Sequence, residues 1–253
     1  MADHRAAADA GDILTRPAMP GAFLFPPLFW LWTAGWGLLT LPVLALPAGV
    51  PAQRCATIWV QGALLLLRLC CGVDHRVVGR EHLPAGPVVV AAKHQSAWET
   101  LAMWLVFDRP VFILKRELLR IPIVGWYLAR TGAVPIDRAS GARALRQMVQ
   151  GARRALAGGR CVVVFPEGTR TPPGTSRPYR PGIAALYAGC DAPVIPVALN
   201  SGHFWPRRGL VRRRGTITVS ILPPLPADLD RRAFVAALHE RIETETARIA
   251  PTY

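Results

Sequence analysis

No charged residue stands between Arg16 and Arg54, and the middle of that gap reads FLFPPLFWLWTAGWGLLTLPVLAL. So long an apolar run needs cover from water, and it is long enough to cross a bilayer, which takes about 20 apolar residues. A second apolar stretch, CATIWVQGALLLL, follows between Arg54 and Arg68. Joined by PAGVPAQR, the two predict either a helical hairpin dipping into one leaflet or one spanning helix beside a surface helix. Pro26, Pro27, Pro42 and Pro47 permit kinks, and Trp30, Trp32, Trp36 and Trp59 suit a membrane interface. The run is longer than the apolar part of a secretory leader, and the segment before it mixes Asp with Arg, which disfavours a cleaved signal.

From about residue 77 short β-branched runs alternate with helical stretches. PVVVAA, PVFIL, GAVPI, CVVVF and PVIPVAL read as strands, several of them buried on both faces. Between the third and fourth lies SGARALRQMVQGARRALAGG, with Ser140 as the expected cap. Leu145, Met148, Val149, Ala152 and Leu156 fall at helical spacing, and Gly158 is the stop. GTITVSIL reads as a further strand and DLDRRAFVAALHERIETETARI as a closing helix. The expected fold class is α/β, a mostly parallel sheet flanked by helices, with an N-terminal apolar membrane-associating helical segment. Residues 1–72 form the expected membrane-associating region and residues 73–253 the α/β domain.

Composition narrows the partners. The 253 residues carry 30 Lys+Arg against 16 Asp+Glu, a formal charge of +14 that favours an anionic partner. With 51% hydrophobic residues and eight Trp gathered toward the N-terminus, membrane contact ranks ahead of nucleic acid, for which no basic and aromatic interleaving exists. The five cysteines show neither a CxxC pair nor zinc-ligand spacing, which points to a reducing compartment and gives no metal motif. Of the basic residues only Lys93 and Lys115 are lysine.

The stretch KHQSAWET, residues 93–100, follows the first strand. On a continuous helix His94 and Glu99 would sit about 140° apart and could not meet. Ser96 and Glu99, however, match the S-x-x-E capping box, so His94 falls in the strand-to-helix turn and Glu99 in the first helical turn, where they can approach. Two readings stay open: a catalytic pair, or a carboxylate that caps its own helix beside an idle histidine.

FPEGTR, residues 165–170, leaves Glu167, Thr169 and Arg170 at the C-terminal end of a strand, where open α/β sheets bind ligands, and Gly168 allows backbone closed to other residues. PIDR places Arg138 at what is expected to be a neighbouring strand end. Two guanidinium groups there would make a fork for a phosphate. The plainer alternatives are a Glu167 to Arg170 ion pair holding the turn, and solvated arginines.

In this order, KHQSAWET, GAVPIDR, FPEGTR and APVIPVAL resemble the four signature blocks of the glycerolipid acyltransferase family, over residues 75–225. The family's first block is His, four residues, then most often Asp; this chain has Glu99. The resemblance implies His94 as general base on a lysophospholipid hydroxyl, with Glu99 orienting its imidazole. It implies that Arg138, Glu167, Gly168, Thr169 and Arg170 bind the glycerol phosphate, and that Pro196 shapes the pocket wall. Lys115, in a KxEL stretch that family members share, is expected to stabilise the oxyanion, and Lys93 to give electrostatic support. The hydroxyl would attack the thioester directly, in keeping with the lack of a GxSxG motif.

The activity so implied is transfer of a fatty acyl chain from acyl-CoA or acyl carrier protein to the sn-2 hydroxyl of lysophosphatidate, with no bound cofactor and no metal. Membrane lipid is the expected surroundings, at the inner (cytoplasmic) membrane with the active site facing the cytoplasm. RRGLVRRR, residues 207–214, would be a solvated hairpin or a docking site for anionic headgroups or an acidic carrier protein. The rival expectations are an acyltransferase for another lyso-lipid, such as lyso-ornithine lipid, and a non-enzymatic basic membrane adaptor.

Overall fold

A computed structural model of the chain describes residues 19–46, 48–207 and 212–251. Pro47 and residues 208–211 of the expected RRGLVRRR hairpin lie outside the described residues. The sheet has seven strands: β1 (Val73–Val78), β2 (Val89–Ala92), β3 (Val111–Lys115), β4 (Val134–Ile136), β5 (Val162–Val164), β6 (Val194–Leu199) and β7 (Gly215–Ile221). Their order is β1-β7-β6-β2-β5-β3-β4. The five strands from β6 to β4 run parallel; β7 meets β6 antiparallel, and β1 runs parallel to β7. The expected mostly parallel α/β sheet is therefore present. VDHRVV, too polar to read as a strand, becomes β1 because it lies in register on β7 from Val73 opposite Gly215 to Val78 opposite Ser220.

Side-chain alternation divides the core between the two faces of the sheet. Val90, Ala92, Val163, Ile195 and Val197 point into one apolar cluster; Val89, Ala91, Val162, Val164 and Val194 point into the other. This explains why β2 is apolar at every position: it is central and covered on both sides. The second face is covered by α5 (Gly141–Ala157), α6 (Pro181–Gly189) and α7 (Arg231–Arg248). In α5, Ala144, Met148, Ala152, Ala155 and Leu156 are buried, while Arg143, Arg146, Arg153 and Arg154 face out. Ser140 takes the N-cap position of α5 without a side-chain bond, and instead Asp137 accepts from the Ala139 amide at 3.1 Å.

The first face is covered by α3 (Trp98–Val106) and by an N-terminal pair, α1 (Phe25–Leu39) and α2 (Val50–Cys71). The long apolar run thus breaks. Its α1 has 15 residues, about 22 Å of helix against a hydrocarbon core of about 30 Å, and a 3-10 turn at Leu41–Ala45 follows. The 22-residue α2 is the one helix among the described residues long and apolar enough to cross a membrane by length and composition. Of the expected interfacial tryptophans, three are spent inside the hairpin. Trp32 Nε1 donates to the Trp59 carbonyl at 2.9 Å, Trp36 Nε1 to the Cys55 carbonyl at 3.0 Å, and Trp59 Nε1 to Thr33 Oγ1 at 3.2 Å. Trp30, 62% exposed, points out with Phe23, Leu31, Leu39, Leu65 and Leu69.

An apolar cavity lies between this hairpin and α4 (Val124–Arg130), lined by Trp36, Ala56, Trp59, Trp104, Tyr127 and Leu128 among others. The hairpin closes tightly because α2 has no side chain at Gly62: a Cβ there would lie 2.4 Å from the Trp32 ring. Replacing Gly62 with leucine is expected to pry α1 from α2 and destabilise the protein by about 1–3 kcal/mol, read as a lower thermal midpoint in detergent.

Candidate active site

Each parallel strand delivers a loop to the same edge of the sheet. Across β2, β5, β3 and β4 in spatial order, that edge carries His94, then Glu167 to Arg170, then Lys115, then Arg138. The arginine-bearing strands β5 and β4 are not neighbours, contrary to the sequence expectation, because β3 lies between them. Side-chain reach makes up the gap. A Cβ on Gly168 would lie 3.1 Å from Arg180 Cγ and 3.6 Å from Arg138 Nη2, so both guanidinium side chains close on this glycine. Gly168 has φ +70°, the left-handed region that favours glycine.

Glu99 is the centre of the other half of the site. Its Oε1 accepts from His94 Nδ1 at 2.8 Å, from the Gln95 amide at 2.7 Å and from the Ser96 amide at 2.6 Å; its Oε2 accepts from Ser201 Oγ at 2.7 Å. The side chain is fully buried. One carboxylate therefore both caps the turn and holds the histidine, so capping and pairing coexist in one side chain. The cap is displaced by one residue from the expected box: α3 starts at Trp98 with Ala97 at its N-cap, and Ser96 Oγ accepts from the Trp98 amide at 3.1 Å.

A carboxylate oxygen offers only lone pairs, so Nδ1 of His94 carries the proton and Nε2 presents its own lone pair. The imidazole stacks on Phe165 with centroids 4.2 Å apart, and the His94 carbonyl accepts from the Thr171 amide at 2.7 Å. The β2 and β5 loops are thereby tied together at the base.

Two residues depart from expectation. Glu167 is 1% exposed and faces inward, with Oε1 2.9 Å from Lys93 Nζ, outside the angular range of a directed hydrogen bond. The sequence expectation had Glu167 contact the acceptor headgroup; its carboxylate here points to the buried Lys93. Burial pushes the Glu167 carboxyl above the ordinary carboxylate range, against the pull of Lys93. Lys93, 1% exposed, is not a surface charge. Lys115 stands exposed at the end of β3, Thr169 and Arg170 are half-buried, and the Arg170 carbonyl accepts from Arg207 Nη1 at 3.2 Å. Pro196 lies within β6, buried opposite Ala91 of β2.

Sequence reasoning missed Ser201 and Arg180. Ser201 meets Glu99 only through tertiary structure, across 102 positions. Arg180 could have been noticed as the residue before the Pro181 that starts α6, at the C-terminal side of FPEGTR. The Arg138 guanidinium is held below its ordinary value by burial and then by the charge of Arg180, partly offset by Glu117. Among the described residues neither arginine is ion-paired, and no group of three or more His, Cys, Asp or Glu is placed to hold a metal.

A histidine held by a buried carboxylate on one nitrogen and open at the other, with arginines converging nearby on the same sheet edge, can serve as a base for an anionic hydroxyl acceptor. Residues 74–200 match the sequence model of the Acyltransferase family, and the chain belongs to that family. It is 38% identical over 197 residues to the 1-acyl-sn-glycerol-3-phosphate acyltransferase of Pseudomonas aeruginosa, covering 76% of this chain and 77% of the relative. With the alpha form of that enzyme from Bos taurus the identity is 32% over 213 residues, 82% of this chain and 74% of the relative. The crystal structure of the 1-acyl-sn-glycerophosphate acyltransferase PlsC from Thermotoga maritima superposes with a TM-score of 0.74 over 92% of this chain and 96% of that one. At 21% identity that is a likeness of fold.

If Ser201 holds the second carboxylate oxygen, Ser201→Ala leaves that oxygen buried and short of a donor. The expected outcome is a loss of about 1–3 kcal/mol of stability in chemical unfolding and slower acyl transfer.

Proposed function

We propose that the protein transfers a fatty acyl chain from a thioester donor to the sn-2 hydroxyl of lysophosphatidate, giving phosphatidate and a free thiol. The observation that carries this reading is the shared sheet edge, where the His94–Glu99 pair stands with two arginines, Arg138 and Arg180, that converge on Gly168 without a carboxylate partner. Like charges gathered in this way suit a phosphate monoester. The names of the two relatives above support the same acceptor.

In this mechanism His94 Nε2 takes the proton of the acceptor hydroxyl as its oxygen attacks the thioester carbonyl. The tetrahedral oxyanion collapses, the carbon–sulfur bond breaks, and the departing thiolate takes the proton back from the imidazolium. Glu99 keeps its own charge throughout and stabilises the imidazolium. Lys115 stabilises the oxyanion, and Arg138, Gly168, Thr169, Arg170 and Arg180 hold the glycerol phosphate, with Glu167 bracing the loop. The donor is acyl-CoA or acyl carrier protein.

The exposed apolar face of the hairpin supports a membrane-bound enzyme, and the five free cysteines suit a cytoplasm-facing position at the inner membrane.

Acyl transfer in detergent, with both donors offered, tests the reading. Wild type should acylate lysophosphatidate, and His94→Ala should lose about 10²- to 10⁴-fold without unfolding; near-normal turnover would remove His94 from the chemistry. Arg138→Ala and Arg180→Ala should each lower kcat/KM for lysophosphatidate by about 10- to 100-fold, as expected for lost charged hydrogen bonds. Transfer by wild type only to a phosphate-free acceptor, such as lyso-ornithine lipid, would replace the substrate and keep the mechanism.

A further inference from the structure

Behind the catalytic turn lies a second charged cluster. Lys93, next in the chain to His94, points away from the solvent into a site built by three segments. Its Nζ lies 2.8 Å from both carboxylate oxygens of Glu243 on α7, 2.9 Å from Glu167 Oε1, and 3.5 Å from the Thr175 carbonyl. Tyr179 OH donates to Glu243 Oε1 at 3.2 Å, and burial together with Glu243 and Glu167 pushes its phenol far up, so it stays a donor. His239, one turn earlier on α7, packs on the Tyr179 ring at 4.9 Å and bonds Ser176 Oγ at 2.8 Å. A buried ammonium is stable only when its donors are matched, and breaking such a set by removing one partner is costly.

The stoichiometry assigns the cluster its job. One ammonium faces two carboxylates, and burial works against the Glu167 charge, so Glu243 is the principal counterion, closing on Nζ with both oxygens. The backbone around Lys93 is anchored on each side: the Lys93 amide donates to the Val197 carbonyl at 2.9 Å, and the His94 carbonyl accepts from Thr171. The side chain of Lys93 therefore sets the turn from below while Glu99 sets the imidazole from the front. Glu243 lies outside residues 74–200, the segment that carries the family match.

We propose that Glu243 is a positioning residue for acyl transfer: by holding Lys93 from the C-terminal helix, it sets the turn that presents His94 to the acceptor. The inference rests on the role given to His94 above. Misplacement of a reacting group by about 1 Å can cost about 10²-fold. Glu243→Gln keeps size and the Tyr179 contact but removes the charge.

The test is a double-mutant cycle on the full chain in detergent, comparing wild type, Glu243→Gln, His94→Ala and the double variant with lysophosphatidate and acyl-CoA, alongside their thermal midpoints. The expected result is a fall in kcat of about 10- to 100-fold in Glu243→Gln, with acceptor KM within about twofold, and no further fall when the change is added to His94→Ala. A Glu243→Gln enzyme as fast as wild type, beside an inactive His94→Ala, overturns this inference and leaves the proposed function standing. An equal fall in both backgrounds overturns it too, because the helix then acts on stability alone. Activity retained by His94→Ala overturns both. Should Glu243→Gln fail to fold, Glu243→Asp, which withdraws the charge by one methylene, carries the same cycle: lost kcat confined to the His94 background supports the role, and unchanged kcat refutes it.

Discussion

The site depends on one buried carboxylate. Glu99 accepts from four donors at 2.6–2.8 Å: two backbone amides of the turn, the His94 imidazole and the Ser201 hydroxyl. Each donor belongs to a different structural need. The amides shape the turn and begin α3, the imidazole gains its tautomer, and the hydroxyl ties the segment after β6 to the start of α3. A buried carboxylate is tolerable only with such matching, so the fold and the orientation of the histidine are stabilised by the same bonds. The extra methylene of glutamate over the aspartate usual in the family suits this double duty, since the side chain must reach back across its own helix start.

The parallel sheet explains how residues far apart in sequence come to act together. A parallel connection returns the chain to the same edge each time, so β2, β3, β4 and β5 all deliver their loops on one side. The inversion at β7 lies beyond β6, on the side of β2 away from β5, β3 and β4. Behind that edge the charges are arranged in depth. Arginines converge at the front, around Gly168, and Lys93 and Glu167 lie buried at the back, with the half-buried Glu243 closing on Lys93.

Local pattern made much of this legible. The central strands could be read because strands covered on both faces are continuously apolar, and α5 because its buried residues recur at helical spacing. The His94–Glu99 approach was readable from the capping signal, which implies a turn. Strand β1 was not, because its alternating polar residues gain strand geometry only by pairing with β7. Strand order was equally hidden: nothing in PIDR or FPEGTR says that β3 separates them. Ser201, Arg180 and Glu243 reach the site through contacts set by tertiary packing, and Glu167 turned inward because its counterion, Lys93, was itself buried.

The N-terminal hairpin shares its apolar core with the sheet: Phe25, Val60, Ala63 and Leu67 belong to the same cluster as Trp98, Met103 and Ile195. A hairpin attached in this way is no flexible tether. With its outer face in lipid, as proposed, the height of the catalytic edge above the hydrocarbon is set by solid packing rather than by a linker. A headgroup then has to match the site in depth as well as in charge, and the bilayer itself becomes part of the ruler by which the acceptor is chosen.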